Sequence, residues 1–147
     1  MINVYIQKWN KEDAPWQRIL ADILKKDYKI EKCPEILRDD MGKPYFDDCV
    51  LHFNVSHSGE YLAIAVSELP VGVDIQEMDI TDAESVKSVI GGAAPDAVIH
   101  CAAYTAVDAA EDNVEICRKV NGDGTQNIAN MCKVLDIPMI YISTDYV

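Results

Sequence analysis

Asp74 stands near the end of the apolar stretch PVGVDI (residues 70–75). A carboxylate leaving a buried run has two ordinary uses. It can serve as a hard oxygen ligand for Mg²⁺ beside phosphate oxygens, or it can accept the hydroxyls of a ribose at the end of a strand in a nucleotide-binding sheet. Upstream, Lys43 lies in GKPYF (42–46), and Ser56 and His57 lie in FNVSHSG (53–59). A Lys and a His beside a metal–phosphate site add positive charge. A Ser-His pair in a strand is, taken alone, more often hydrogen-bonded structure than a site. Five cysteines (Cys33, Cys49, Cys101, Cys117, Cys132) include no C-x-x-C and no zinc-like His spacing. Reduced, buried thiols are the expectation.

The elements that must carry these residues change character along the chain. Val4 and Ile6 alternate with polar neighbours and predict a first strand. Asp13 is placed to cap a helix whose first turn tolerates Pro15. Trp16, Ile19, Leu20, Ile23 and Leu24 form one face of that helix. EKCPEILRDDMGKPYFDD is turn-rich, and any helix in it is expected to be short. LHFNVSH and YLAIAVSE, joined by SGE, predict an antiparallel hairpin, and VGVDI predicts a further buried strand. Thr81 to Glu84 read as a capping box opening a helix through Val86 and Ile90, stopped by Gly91-Gly92. DAVIHC (96–101) and IPMIYIS (137–143) are apolar strands, separated by a helical region from about Asp108 to Leu135 that is expected to break near Asn121-Gly122. Apolar, non-alternating strands alternating with helices signal a parallel sheet. The expected fold class is therefore α/β in the C-terminal half, with α+β and an antiparallel hairpin in the N-terminal half.

Composition places a boundary at the same point. The 147 residues carry a formal net charge of −12. Residues 1–75 hold nine basic and thirteen acidic side chains, against four and twelve in 76–147. So acidic a chain lacks the basic surface of a nucleic-acid binder. No apolar run is long enough to span a bilayer, and the absence of a secretory leader and a cytoplasmic location are expected.

GKPYF, FNVSHSG and PVGVDI, in that order, resemble the first half of a 4′-phosphopantetheinyl transferase of the surfactin-activating type, over residues 1–75. The resemblance implies coenzyme A and Mg²⁺ as cofactors and carrier-protein modification as the activity. It sets Lys43, Ser56 and His57 against the coenzyme A phosphates and makes Asp74 a Mg²⁺ ligand. The family's second acid, two residues beyond, is Gln76 here, and its downstream W-x-x-K-E segment has no counterpart.

DITD (79–82), CAAYTAVDAAED (101–112), VNGDGTQNIA (120–129) and YISTDYV (141–147) resemble a dTDP-4-dehydrorhamnose reductase, an extended short-chain dehydrogenase acting on sugar nucleotides. This resemblance implies a partial Rossmann sheet over 76–147 lacking its first strand, and NAD(P)H-dependent reduction of a 4-keto sugar nucleotide. It sets Asp79 and Ile80 at the adenine side and Ala102, Ala103 and Tyr104 along the cofactor path. Asp74 would meet the adenosine ribose. Thr144 would hydrogen-bond the sugar carbonyl, as the catalytic hydroxyl, and Asp145 would lie beside the substrate. The family's G-x-x-G-x-x-G loop should precede VGVDI, where transferase-like sequence stands. Its Tyr-x-x-x-Lys pair should follow Val147, and no Lys follows Tyr146 at that spacing. The chain is thus expected to be a catalytically incomplete reductase-like protein, or a transferase half-domain, or a non-catalytic chimera. A sheet missing a central strand leaves unpaired edges, so marginal stability or self-association is expected.

Overall fold

In the computed structural model, residues 1–12 and 14–142 are described; Asp13, Thr144, Asp145 and Tyr146 lie outside them. The chain divides into two compact units, Met1–Glu77 and Met78–Val147.

The first unit is built on strand β1 (Ile2–Lys8), helix α1 (Trp16–Tyr28), the short strands β2 (Ile36–Arg38) and β3 (Pro44–Phe46), and strands β4 (His52–Ser58) and β5 (Tyr61–Ser67). The predicted hairpin forms as β4–β5. β5 lies between β1 and β4, antiparallel to both, over seven residue pairs on each side. The helix buries Leu20, Ile23 and Leu24 in one apolar cluster with Phe53, Leu62, Ile64 and Val66. Its C-terminus is set by Lys29 at φ 60°, whose N–H bonds the Leu24 carbonyl.

Two expectations fail in this unit. The turn-rich segment forms no helix. It pairs β2 with β3 around a turn in which Asp39 accepts the N–H groups of Met41 and Lys43, and Gly42 takes φ +80°. Nor does VGVDI become a strand. The N–H groups of Val73, Ile75 and Glu77 donate to the side chains of Asn54, Ser56 and Ser58, at 2.8, 3.2 and 3.3 Å. Every second amide is therefore satisfied by a side-chain oxygen of β4, and no backbone ladder forms.

The second unit contains helix α2 (Ala83–Val86), a π-helical turn (Lys87–Gly91), strand β6 (Val98–His100), helices α3 (Val107–Asp112) and α4 (Val114–Arg118), a π-helical stretch (Lys119–Gly124), helix α5 (Thr125–Leu135) and strand β7 (Met139–Tyr141). β6 and β7 are parallel, as the apolar strands predicted, though each is shorter than its apolar run. Val86, Ile90, Ile128 and Cys132 form the buried cluster.

The caps and breaks differ from expectation, for local reasons. Asp82, and not Thr81, caps α2 through the Glu84 N–H at 3.1 Å, because the Thr81 hydroxyl is bonded to Asp79. Gly91-Gly92 does not stop the helix. A Cβ on Gly91 would stand 3.2 Å from the Met131 Cε, so this glycine admits a close helix neighbour. The helical region breaks at Asn113, whose side chain bonds the Ala109 carbonyl. At Asn121-Gly122 it passes through the π stretch unbroken. YLAIAVSE is the centre of the first unit's sheet.

Candidate functional site: two loops held by one helical stretch

In the second unit β6 ends at His100 and leads into Cys101–Ala106, the loop containing Ala102, Ala103 and Tyr104. Asn121 secures that loop. Its side-chain oxygen accepts the Tyr104 N–H at 2.7 Å, and its amide nitrogen donates to the Tyr104 carbonyl at 3.3 Å. One side chain thus satisfies both backbone groups of a loop residue seventeen positions away. Ala102 is exposed and Ala103 half-buried, so little side-chain bulk covers the backbone there.

The other loop, Met78–Asp82, is held by the same helical stretch. The Asn127 side chain donates to the Ile80 carbonyl at 3.0 Å. Gly124 is buried, and a Cβ there would meet Ile80 Cδ1 at 2.8 Å and Cγ1 at 2.9 Å. Ile80 can therefore seat itself only because residue 124 has no side chain. Asp79 accepts both the Thr81 hydroxyl (2.8 Å) and the Thr81 N–H (2.9 Å), and these bonds hold its carboxyl below the usual carboxylate range. The carboxylate is exposed and ionised at neutral pH.

His100, absent from the sequence reading, closes the arrangement. It is 3% exposed, with Nε2 3.1 Å from the Thr125 hydroxyl and its ring stacked on Tyr141 at 5.1 Å. Burial pushes its pKa down, so it sits neutral. Asn121, Gly124, Thr125 and Asn127 therefore fix, in order, Tyr104, Ile80, His100 and Ile80 again. VNGDGTQNIA is a clamp, a role that nothing in its spacing shows. A π-helical distortion, of a kind that concentrates at functional sites, runs through the same stretch and is invisible in sequence.

The other predicted residues are more scattered. In the first unit, Ser56 and Asp74 meet, the hydroxyl donating to the carboxylate at 2.5 Å. His57, the next strand residue, faces the opposite way, its ring 5.4 Å from Trp9. The two line different surroundings: His57 borders a cleft of about 790 Å³ with Lys8, Trp9, Asn10, Lys11, Gly59 and Glu60. Lys43 sits in the β2–β3 turn and, among the described residues, pairs with no carboxylate. No group of three acids, histidines or cysteines converges to hold a metal among the described residues. Tyr28 and Lys32 have the Tyr-x-x-x-Lys spacing, but the left-handed Lys29 ends the helix between them, and the Tyr28 hydroxyl accepts from Asn3 at 2.7 Å. Thr144 and Asp145 lie outside the described residues.

The donor set fits an adenosine end better than a dinucleotide. Asp79 offers an ionised acceptor, and Ala102 and Ala103 leave the backbone approachable. For a diphosphate, the glycines of the second unit are wrongly placed: Gly91 and Gly92 lie in a helix, Gly122 and Gly124 in the π stretch.

The family of the RmlD substrate binding domain matches residues 55–147. The chain is 41% identical over 85 residues to the dTDP-4-dehydrorhamnose reductase of Mycolicibacterium smegmatis, covering 58% of this chain and 25% of that protein. It is 34% identical over 82 residues to the dTDP-4-keto-6-deoxy-D-glucose reductase of Streptomyces niveus, covering 56% and 28%. A crystal structure of dTDP-4-dehydrorhamnose reductase from Bacillus anthracis, in complex with NADP, matches at 35% identity and a TM-score of 0.48, over 52% of this chain and 29% of that one. The chain spans about a quarter of the length of the curated relatives it matches. With more than half its residues matched, it belongs to the RmlD substrate binding domain family.

Proposed function

We propose that the second unit is the nucleotide-facing part of an NAD(P)H-dependent sugar-nucleotide reductase of the dTDP-4-dehydrorhamnose type, a partial Rossmann sheet without its first strand. The observation that carries this reading is the clamp: one helical stretch fixes both loops to which the reductase resemblance assigns the cofactor. The bound cofactor supplies hydride. Asp79 accepts hydroxyl or amino hydrogens at the adenosine end, Ile80 offers an apolar contact, and Ala102 and Ala103 let the ligand approach the chain. Thr144 and Asp145 would meet the sugar nucleotide, Thr144 donating to its carbonyl oxygen.

The described residues supply no diphosphate cradle and no general acid, so binding is the property to measure first. Titration of the chain with NADPH, NADH and adenosine 2′,5′-bisphosphate should give saturable binding. Asp79→Ala should weaken it about tenfold, corresponding to roughly 1.4 kcal/mol for a lost charge-assisted hydrogen bond. Equal binding by wild type and Asp79→Ala, or none by either, would overturn the assignment. Self-association through the free edges of β6 and β7 belongs to the same reading, and sedimentation over a concentration series tests it.

A second reading rests on the first unit. The cleft bordered by His57, Lys8, Lys11 and the Trp9 ring suits an anionic ligand with a flat base, which supports coenzyme A binding by a transferase half-domain. Asp74, bonded to Ser56 and without a second acid, makes a poor Mg²⁺ ligand by itself. Coenzyme A binding that is lost in His57→Ala and indifferent to Mg²⁺ would fit this cleft. Magnesium dependence abolished by Asp74→Ala would instead favour the full transferase site. A chain that binds neither ligand class would be left as a non-catalytic chimera.

A further inference from the structure

The β2–β3 hairpin has a fixed register. Ile36 pairs with Phe46, Leu37 with Tyr45 and Arg38 with Pro44. Pairing continues outward where the Asp47 N–H donates to the Glu35 carbonyl at 2.9 Å. Two residues further along each arm stand Cys33 and Cys49. Both are free thiols, both are half-buried, and both pack against the same apolar cluster as Phe46 and Phe53. The ladder itself ends at Ile36 and Phe46, and beyond it Cys33 and Cys49 remain close enough for Cys49 to act on the Cys33 thiol; a disulfide spans Cα atoms roughly 4.4–6.8 Å apart. Asp48, at φ 48°, bends the arm just before Cys49, which packs against the core.

We propose that Cys33 and Cys49 are a redox pair, oxidised by a small-molecule disulfide to a bond that closes the foot of the β2–β3 hairpin. Burial, and then Cys49 beside it, push the Cys33 thiol pKa up, which disfavours Cys33 as the first nucleophile. The Cys49 thiolate displaces one thiolate from the disulfide and forms a mixed disulfide. Cys33 then gives its proton to solvent and attacks the Cys49 sulfur, releasing the second thiolate. Two protein thiols are oxidised and one small disulfide is reduced to two thiols. Cys101, Cys117 and Cys132 lie in the other unit and take no part.

The test is native incubation of the full chain with glutathione disulfide, followed by intact mass and tryptic mapping. The expected product has lost two hydrogens, and three cysteines remain open to alkylation after denaturation. Arg38 lies between the pair, so trypsin should release two peptides joined only through Cys33 and Cys49. Cys33→Ser should trap a glutathione adduct on Cys49, and dithiothreitol should reverse both outcomes. The oxidised chain should melt at a higher temperature than the reduced one. Circular dichroism of a Cys33→Ser/Cys49→Ser chain should match wild type, separating loss of the bond from loss of the fold. Separate adducts without a link, links to the other three cysteines, or five untouched thiols would each overturn the proposal.

Discussion

In Met1–Glu77 a central strand is paired along seven residues on both sides, while β6 and β7 of Met78–Val147 share only three pairs. The first unit lays α1 over its sheet and buries Leu20, Leu24, Leu62, Ile64 and Val66 completely or nearly so. The second packs one side of β6–β7 and leaves the other open, with Ile99, Ile140 and Ile142 at 65%, 56% and 53% exposure. Parallel sheets are normally covered on both faces. The loops of the second unit are nonetheless tied to one helical stretch by the side chains of Asn121 and Asn127. The lesson is that fold stability and site geometry are carried by separate interactions here: apolar burial in one unit, side-chain-to-backbone hydrogen bonds in the other.

Substitutions at matched core positions should break the comparison most sharply. Leu24→Ala in the first unit and Ile128→Ala in the second each remove a buried side chain, costing roughly 2–5 kcal/mol. The smaller core of the second unit leaves it less able to absorb that loss. Hydrogen exchange should show Ile128→Ala abolishing protection through α5 while β5 stays protected. Leu24→Ala should leave part of the first unit's protection in place. Equal collapse of both units in either variant would contradict their independence.

Removing the clamp comes next. Asn121→Ala strands the Tyr104 N–H and carbonyl in a partly buried loop, at about 1–3 kcal/mol. The Tyr104 amide should exchange faster, and nucleotide affinity should fall, with the first unit's denaturation curve unchanged. Gly124→Ala should have a smaller effect. Its methyl must displace Ile80, an overpacking cost of about 1–3 kcal/mol, partly offset by better helix propensity of about 0.5–1 kcal/mol. A stabilised Gly124→Ala chain would mean that Ile80 yields easily and the loop is not fixed there.

The gentlest perturbation is pH. The folded pKa of His100 lies below its unfolded value of about 6.5. The neutral ring's contribution is therefore fully present above that value and is lost as pH falls from it toward the folded pKa. The second unit should soften over that window, followed by exchange of amides in α5 and β6. His100→Gln should remove the dependence, and its persistence would assign it to another group.

Much of the scaffold was legible because its signals are local. The face Trp16–Ile19–Leu20–Ile23–Leu24 and the alternation in LHFNVSH need only the period of a helix or a strand. The apolar runs at 96–101 and 137–143 likewise marked β6 and β7. The site was legible only as strings. Asp79, Ile80, Ala102, Ala103 and Tyr104 were named, but what holds them was not, because Asn121 acts across seventeen residues and Gly124 acts through the volume it lacks. VGVDI misled for a related reason: its composition suits a strand, but its amides are taken by neighbouring side chains. Cys33 and Cys49 carry no motif, and only the hairpin between them brings both to one apolar cluster.

Residues 73–77 depend on β4 for their course. The path of the segment is dictated by Asn54, Ser56 and Ser58, which bind its main chain and read none of its side chains, Asp74 apart. Val73 and Ile75 are half-buried beside that strand. A substitution in β4 that removes one of these side-chain oxygens therefore frees backbone well beyond the strand itself.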